Sequence, residues 1–178
     1  TGLETEGWTF TEYAVGCESC HGSATEHAED PENIKPFAEA DSQVCGACHS
    51  RGLSPDGHPF AASFRPGDAL SDHFAPTGDS MAYWPDGSAR FNHDQYSDWT
   101  LGNTMADDPS ITCATCHAVH SPGVEPGQLL QPVNELCLGC HSDKTALLKH
   151  MPYHEQAARR RDFACSDCHM PKFATSTA

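Results

Sequence analysis

The sequence predicts a mostly coil fold with short α-helices and little or no β-structure, whose core is not built from side chains alone. Three observations predict it. Hydrophobic residues are 38% of the 178 positions, while 14 glycines and 13 prolines interrupt the chain, a combination too poor in apolar surface for an ordinary domain core. No segment alternates apolar and polar residues with β-branched enrichment, so strand signals are nearly absent. All ten cysteines fall into five pairs, each reading C-x-x-C-H: Cys17-Cys20-His21, Cys45-Cys48-His49, Cys113-Cys116-His117, Cys137-Cys140-His141 and Cys165-Cys168-His169.

Paired cysteines two residues apart also occur in zinc ribbons, so the whole set has to decide. A zinc site does not require histidine directly after the second cysteine every time. A disulfide scaffold does not require a constant two-residue gap. Covalent haem c requires both: each thiol adds to one porphyrin vinyl group, and the adjacent imidazole reaches the iron from the proximal side. Five motifs without exception therefore imply five covalently attached haems c. The fold is then organised around closely packed haems, and the chain without them is expected to be largely unfolded, by the linkage that makes small metal domains fold only when loaded.

Length and spacing predict a single pentahaem domain over 1–178. Its haem sites form two groups, 17–49 and 113–169, joined by the haem-free segment 50–112. Short helices are expected from Ser23 to Glu29, from Pro36 to Cys48, from Asn92 to Leu101, from Val133 to His141 and from Asp143 to Arg161, the last interrupted by Pro152. The 50–112 segment carries turn signals at Ser54-Pro55-Asp56-Gly57, Arg65-Pro66-Gly67 and Trp84-Pro85-Asp86-Gly87. Its aromatic residues Phe60, Phe64, Phe74, Tyr83, Trp84, Phe91, Tyr96 and Trp99 read chiefly as core filling, with haem faces forming part of that core. The unequal spacing of the motifs excludes a solenoid.

The formal charge is −15, and haem propionates would make the loaded protein more acidic still. That argues against nucleic acid and anionic membranes as partners and favours solubility and basic docking partners. One basic run, Arg159-Arg160-Arg161, stands out as a propionate-pairing or merely solvated stretch. No run approaches the 18 apolar residues of a membrane helix. Haem c is attached outside the cytoplasmic membrane, so the chain is expected to be exported, periplasmic or extracellular, and its start to be that of a mature or trimmed form.

Twelve histidines less the five proximal ones leave seven. This surplus in an acidic chain points to bis-histidine ligation. His27 and His120 follow closely on haem motifs, His93 opens an expected helix, and His150 and His154 stand one helical turn apart; these five are the distal-ligand candidates. His73 and His58 lie in turn-rich loops and rank lower. Met105 is the best methionine rival, although a packing role is the ordinary reading for methionine.

The segments GCESCHGSATEH (Gly16 to His27), CGACHSRG with FRPGD (Cys45 to Asp68), YWPDGSARFNHDQYSDW (Tyr83 to Trp99), CATCHAVHSP, NELCLGCH and CSDCHMPK together resemble the large multihaem cytochromes c related to cytochrome c554. The match spans nearly the whole chain in the right order. The resemblance implies electron carriers and haem modules with porphyrins in close contact, and places His27, His93, His120 and the His150/His154 pair on ligand positions. Family members often carry a histidine shortly before the third motif, where this chain has Thr104. They also commonly carry a further motif upstream.

The expected function is electron conduction through five mostly bis-histidine haems, without enzymatic activity, because six-coordinate irons offer no position to a substrate. The chain would serve as a carrier, a module of a redox complex or a protomer of an extracellular haem filament, with other redox proteins or copies of itself as partners. The competing expectation is a small nitrite- or hydroxylamine-type oxidoreductase with one open haem, which would need acid–base groups around that iron.

Overall fold

The computed structural model describes residues 3–5, 8–10, 15–35, 41–77, 83–85, 90, 94–102, 105–142 and 164–170. The chain divides into two compact units, Thr1–Met105 and Ala106–Ala178. The boundary falls inside the 50–112 segment, so each unit carries one group of C-x-x-C-H motifs.

In the first unit, β1 (Leu3–Thr5) pairs antiparallel with β2 (Trp8–Phe10), with Leu3 opposite Phe10 and Thr5 opposite Trp8. Two short helices follow, α1 (Glu18–His21) and α2 (Thr25–Glu29). The second begins later than the spacing predicts, because Ser23 and Ala24 are held in the connection: Ser23 Oγ lies 3.1 Å from Thr25 Oγ1, and the Ala24 N–H donates to Glu18 Oε1 at 2.8 Å. Helix α3 (Ser42–Gly46) covers the middle of the expected Pro36–Cys48, whose positions 36–40 lie outside the described residues. Its start is set by Asp41, an extended residue whose carboxylate accepts from the Gln43 N–H at 2.9 Å, the N-cap geometry that satisfies an otherwise orphan donor.

The rest of the first unit ties back to α3 and the motif it carries. Strand β3 (Gly52–Leu53) pairs with β4 (Ala75–Pro76), a two-residue ladder too short to show as alternation in the sequence. Helix α4 (Leu70–His73) is fastened by its Leu70 N–H, which donates to Gln43 Oε1 at 2.8 Å. Leu70 and Phe74 are buried to 2% and 1% exposure. Helix α5 (Gln95–Gly102) begins three residues after the expected start. Its Tyr96 N–H donates to the His49 carbonyl at 3.0 Å, and Asp94 accepts from the Arg51 N–H at 3.1 Å. The predicted turn at Ser54–Gly57 closes with a 2.9 Å bond, and the one at Arg65–Asp68 also with 2.9 Å.

The aromatic residues divide between two environments. Phe74 is core and Tyr96 packs on Gly46, whereas Phe60 is 55% exposed and Trp84 is covered on one face by the Arg90 guanidinium, 4.8 Å from the ring centre. Phe91 lies outside the described residues.

In the second unit, α6 (Cys113–Cys116) opens with a reciprocal cap in which the Thr112 N–H donates to Thr115 Oγ1 at 2.9 Å. Helix α7 (Val133–Cys140) starts where predicted. Its first N–H, on Val133, donates to Glu125 Oε2 at 3.2 Å, placing a carboxylate at the positive end of the helix. Helix α8 (Ser166–His169) is joined to α7 by the Cys165 N–H, which donates to Asn134 Oδ1 at 2.8 Å. The expected helix Asp143–Arg161, with its basic run, lies outside the described residues.

Among the described residues, Leu70, Phe74 and Ala118 are the fully buried apolar side chains. That is a very small core for two units. Of the exposed apolar residues, Val119 follows the third motif by two residues, Leu138 lies within the fourth, and Val124 and Leu130 sit on the loop folded over the third.

Candidate haem centres

Each of the five motifs folds as one helical turn. The N–H of the motif histidine donates to the carbonyl of the first cysteine: His21 to Cys17 at 2.9 Å, His49 to Cys45 at 2.8 Å, His117 to Cys113 at 2.9 Å, His141 to Cys137 at 2.9 Å and His169 to Cys165 at 3.1 Å. On such a turn, positions i, i+3 and i+4 lie on one face. The backbone therefore sets the three motif positions on one face at each of the five places. The nine cysteines whose side chains are described form no disulfide with one another. Among the described residues, no three His, Cys, Asp or Glu side chains converge to hold a bare metal ion. The donor set fits a porphyrin attached along a helical face.

Backbone carbonyls set the tautomer of two histidines. His117 Nδ1 lies 2.7 Å from the Gly127 carbonyl oxygen. A carbonyl only accepts, so Nδ1 carries the proton and Nε2 keeps the lone pair a metal requires. His27 Nδ1 stands in the same relation to the Ile34 carbonyl at 2.5 Å. Outer hydrogen bonds of this kind orient a ligand ring and raise its basicity.

The partner of His117 belongs to a loop that doubles back over the third motif. The Ala118 N–H donates to Gln128 O at 2.6 Å, the Leu130 N–H to Cys116 O at 3.0 Å, and the Val124 N–H to Leu129 O at 2.9 Å. Gly127 has φ +84° and Gln128 φ +57°, the single positive φ on a non-glycine residue among those described. Left-handed backbone on glutamine is strained, and here it aims the Gly127 carbonyl at the imidazole.

In the first unit, an open cleft of about 940 Å³ is lined by His21, His27, Cys48, Phe60 and Phe64, at the upper end of the range for small-molecule sites. The first and second motifs thus share one contiguous volume. In the second unit the thiols of different motifs lie within each other's field. Burial first, and then the neighbouring thiols of Cys140 and Cys113, push the Cys116 thiol above its ordinary pKa. Burial, followed by the charge and hydrogen bond of Cys165 and by Cys116, does the same to Cys137.

The other histidines are placed as follows. His73 has both ring nitrogens engaged, Nδ1 2.8 Å from Ser63 Oγ and Nε2 3.3 Å from Asp68 Oδ2. His58 is exposed and stacks on Phe60, ring centres 5.5 Å apart. His120 is exposed in the second unit, and Met105 is half-buried at the end of the first. His93, His150 and His154 lie outside the described residues. The carbonyls of Ile34 and Gly127 could not be found from the sequence, since a backbone acceptor has no residue-type signature; the Pro126-Gly127 pair was the available turn signal.

A family model for the doubled CXXCH motif matches residues 106–146, which contain the third and fourth motifs. No curated protein sequence resembles the chain closely enough to count as a match. Among solved structures, the fold is similar to the crystal structure of the outer cell wall cytochrome OcwA, with a TM-score of 0.73 and 25% sequence identity over 93% of this chain and 49% of that one. The chain spans about half the length of that cytochrome. Among the described residues, no helix is long and apolar enough to cross a membrane. Five C-x-x-C-H helical turns, a small side-chain core among the described residues, and likeness in both sequence motif and fold identify the chain as a multihaem c-type cytochrome.

Proposed function

We propose that this cytochrome conducts electrons through five haems c, most of them ligated by two histidines, and catalyses no reaction of its own. The observation that carries the proposal is the helical turn repeated at all five motifs, with the Nε2 lone pair left available on His117, together with motifs that neighbour one another inside each unit. Haem c, when bound, supplies an iron that takes up and releases single electrons with little rearrangement if both axial positions are filled. The shared cleft supports contact between the first and second sites. The mutual influence of Cys116 with Cys140, and of Cys137 with Cys165, supports the order third, fourth, fifth in the second unit. His27, with its Nδ1 proton held by Ile34, is the distal ligand the described geometry favours most; His120, His93, His150 and His154 complete the set. His73, with both nitrogens engaged, stays off the irons.

The likeness to half of an outer cell wall cytochrome supports an exported chain that acts as a redox module, its partners being other redox proteins or further copies of itself, up to a haem filament. Intact-mass measurement of the holoprotein tests the count: five haems are expected, and fewer would remove the proposal's basis. His27→Ala should then turn one low-spin iron high-spin while His73→Gln leaves the spectrum unchanged. The reverse pattern would overturn the ligand assignment. Electron microscopy of the purified protein distinguishes filament from free carrier.

A further inference from the structure

The chain has 25 acidic and only 10 basic Lys and Arg residues, so a basic side chain has an abundance of carboxylates to choose from. Two of the ten, Lys35 and Arg65, nevertheless line the cleft shared by the first two motifs and form no ion pair among the described residues. The Lys35 ammonium donates to the Pro31 carbonyl at 3.3 Å, a neutral acceptor. Arg65 uses its backbone N–H, not its guanidinium, to reach Asp68 Oδ2 at 3.1 Å, and Asp68 turns its carboxylate toward His73.

Both cations stand in segments with defined local hydrogen bonds. Lys35 directly follows Ile34, whose carbonyl fixes His27. Arg65 opens the turn closed by Asp68 N–H to Arg65 O at 2.9 Å. These two cations, with no carboxylate bound to them among the described residues, stand on the wall of a cleft that also presents His21, His27 and Cys48 together with Glu18 and Glu26; Glu18 is already engaged by the Ala24 N–H, and the cations are left to receive carboxylates carried by whatever fills the cleft.

We infer that Lys35 and Arg65 bind the propionate carboxylates of haem seated in the first-unit cleft and so raise the reduction potential of that centre. The inference rests on the haem reading above. The sign follows from charge: an uncompensated propionate stabilises the ferric state, and a cation beside it offsets that preference. Guanidinium suits a carboxylate through paired N–H donors, whereas ammonium acts as a point charge. These are positioning residues, since neither touches the iron.

The test uses the full holoprotein with Lys35→Gln, Arg65→Gln, the double variant and the charge-conserving Lys35→Arg. Both side chains are exposed, so the variants should fold. Intact mass and the low-spin Soret spectrum are read first; a lost haem or changed spin state in the parent protein would count against the haem reading itself. With five low-spin haems retained, spectropotentiometric titration should show one or two midpoints moving to more negative values in each Gln variant, further in the double variant, and returning in Lys35→Arg. Unmoved midpoints in the double variant would overturn the inference. Unmoved midpoints with slower electron uptake from an acidic redox partner would also overturn it, assigning the cations to carboxylates on a docking surface instead.

Discussion

Replacing Gly46 with alanine tests how the second motif is built into the first unit. Gly46 is buried within C-G-A-C-H, and a Cβ there would lie 2.6 Å from Tyr96 Cγ and 2.7 and 2.8 Å from its two Cδ atoms. Ordinary carbon–carbon separation is about 3.5–4.0 Å, so the ring would have to retreat by roughly 1 Å. It cannot do so freely, because the Tyr96 N–H is bonded to the carbonyl of His49 at 3.0 Å and its helix packs on α3. Overpacking of this kind costs about 1–3 kcal/mol. A loss of about 2 kcal/mol lowers the melting midpoint by about 4–8 °C in a chain of this size. The assay is thermal melting of fully haem-loaded protein followed by circular dichroism, with Tyr96→Ala as the second arm of a double-mutant cycle. Once the ring is gone, Gly46→Ala should cost little more. A melting point unchanged by Gly46→Ala, or strictly additive losses in the double variant, would refute the packing argument.

Three further outcomes follow from the same structure. Asp41→Ala removes the N-cap of α3 and should cost about 1 kcal/mol, read by the same melts, with Asp41→Asn retaining most of the stability. Hydrogen bonds from the Ser110 hydroxyl and N–H hold the Asp108 carboxyl below its usual pKa. The ionised form is favoured in the fold, so this contribution is present above pH 3.8 and fades as the pH falls through the lowered value. Ser110→Ala should move the Asp108 titration, followed by NMR, upward; no movement would contradict the assignment. Gln128→Gly should stabilise the second unit by up to about 1 kcal/mol, since left-handed glutamine costs about 1–2 kcal/mol and glycine's flexibility returns about 0.5–1 kcal/mol. A lower melting point in that variant would show that the Gln128 side chain, not its backbone, holds the loop.

The helical turns at the five C-x-x-C-H motifs were legible in the sequence because the pattern is local. Two thiols and an imidazole within five residues need one helical turn and nothing else, and the turn recurs at all five places. The mostly coil, short-helix fold was legible for a related reason: glycine, proline and scarce apolar residues leave no material for a larger element. Boundaries were less legible where one side chain decides them, as Asp41 does for α3 and Glu18 does ahead of α2. The cleft, the Ile34 and Gly127 carbonyls and the absence of an ion pair for Lys35 and Arg65 among the described residues were not legible at all. They depend on contacts between loops, or on backbone groups that every residue possesses. His73 illustrates the difference: its position in a turn-rich loop says little, whereas Ser63 and Asp68 on its two nitrogens account for it.

In the proposed function the irons are six-coordinate and serve conduction alone. Low-temperature EPR with near-infrared magnetic circular dichroism of the oxidised holoprotein, recorded with and without nitrite or cyanide, tests it most directly. Five low-spin signals, most of them bis-histidine, that ignore both ligands are the predicted result. A high-spin iron that binds either one would contradict it and make that centre an active site.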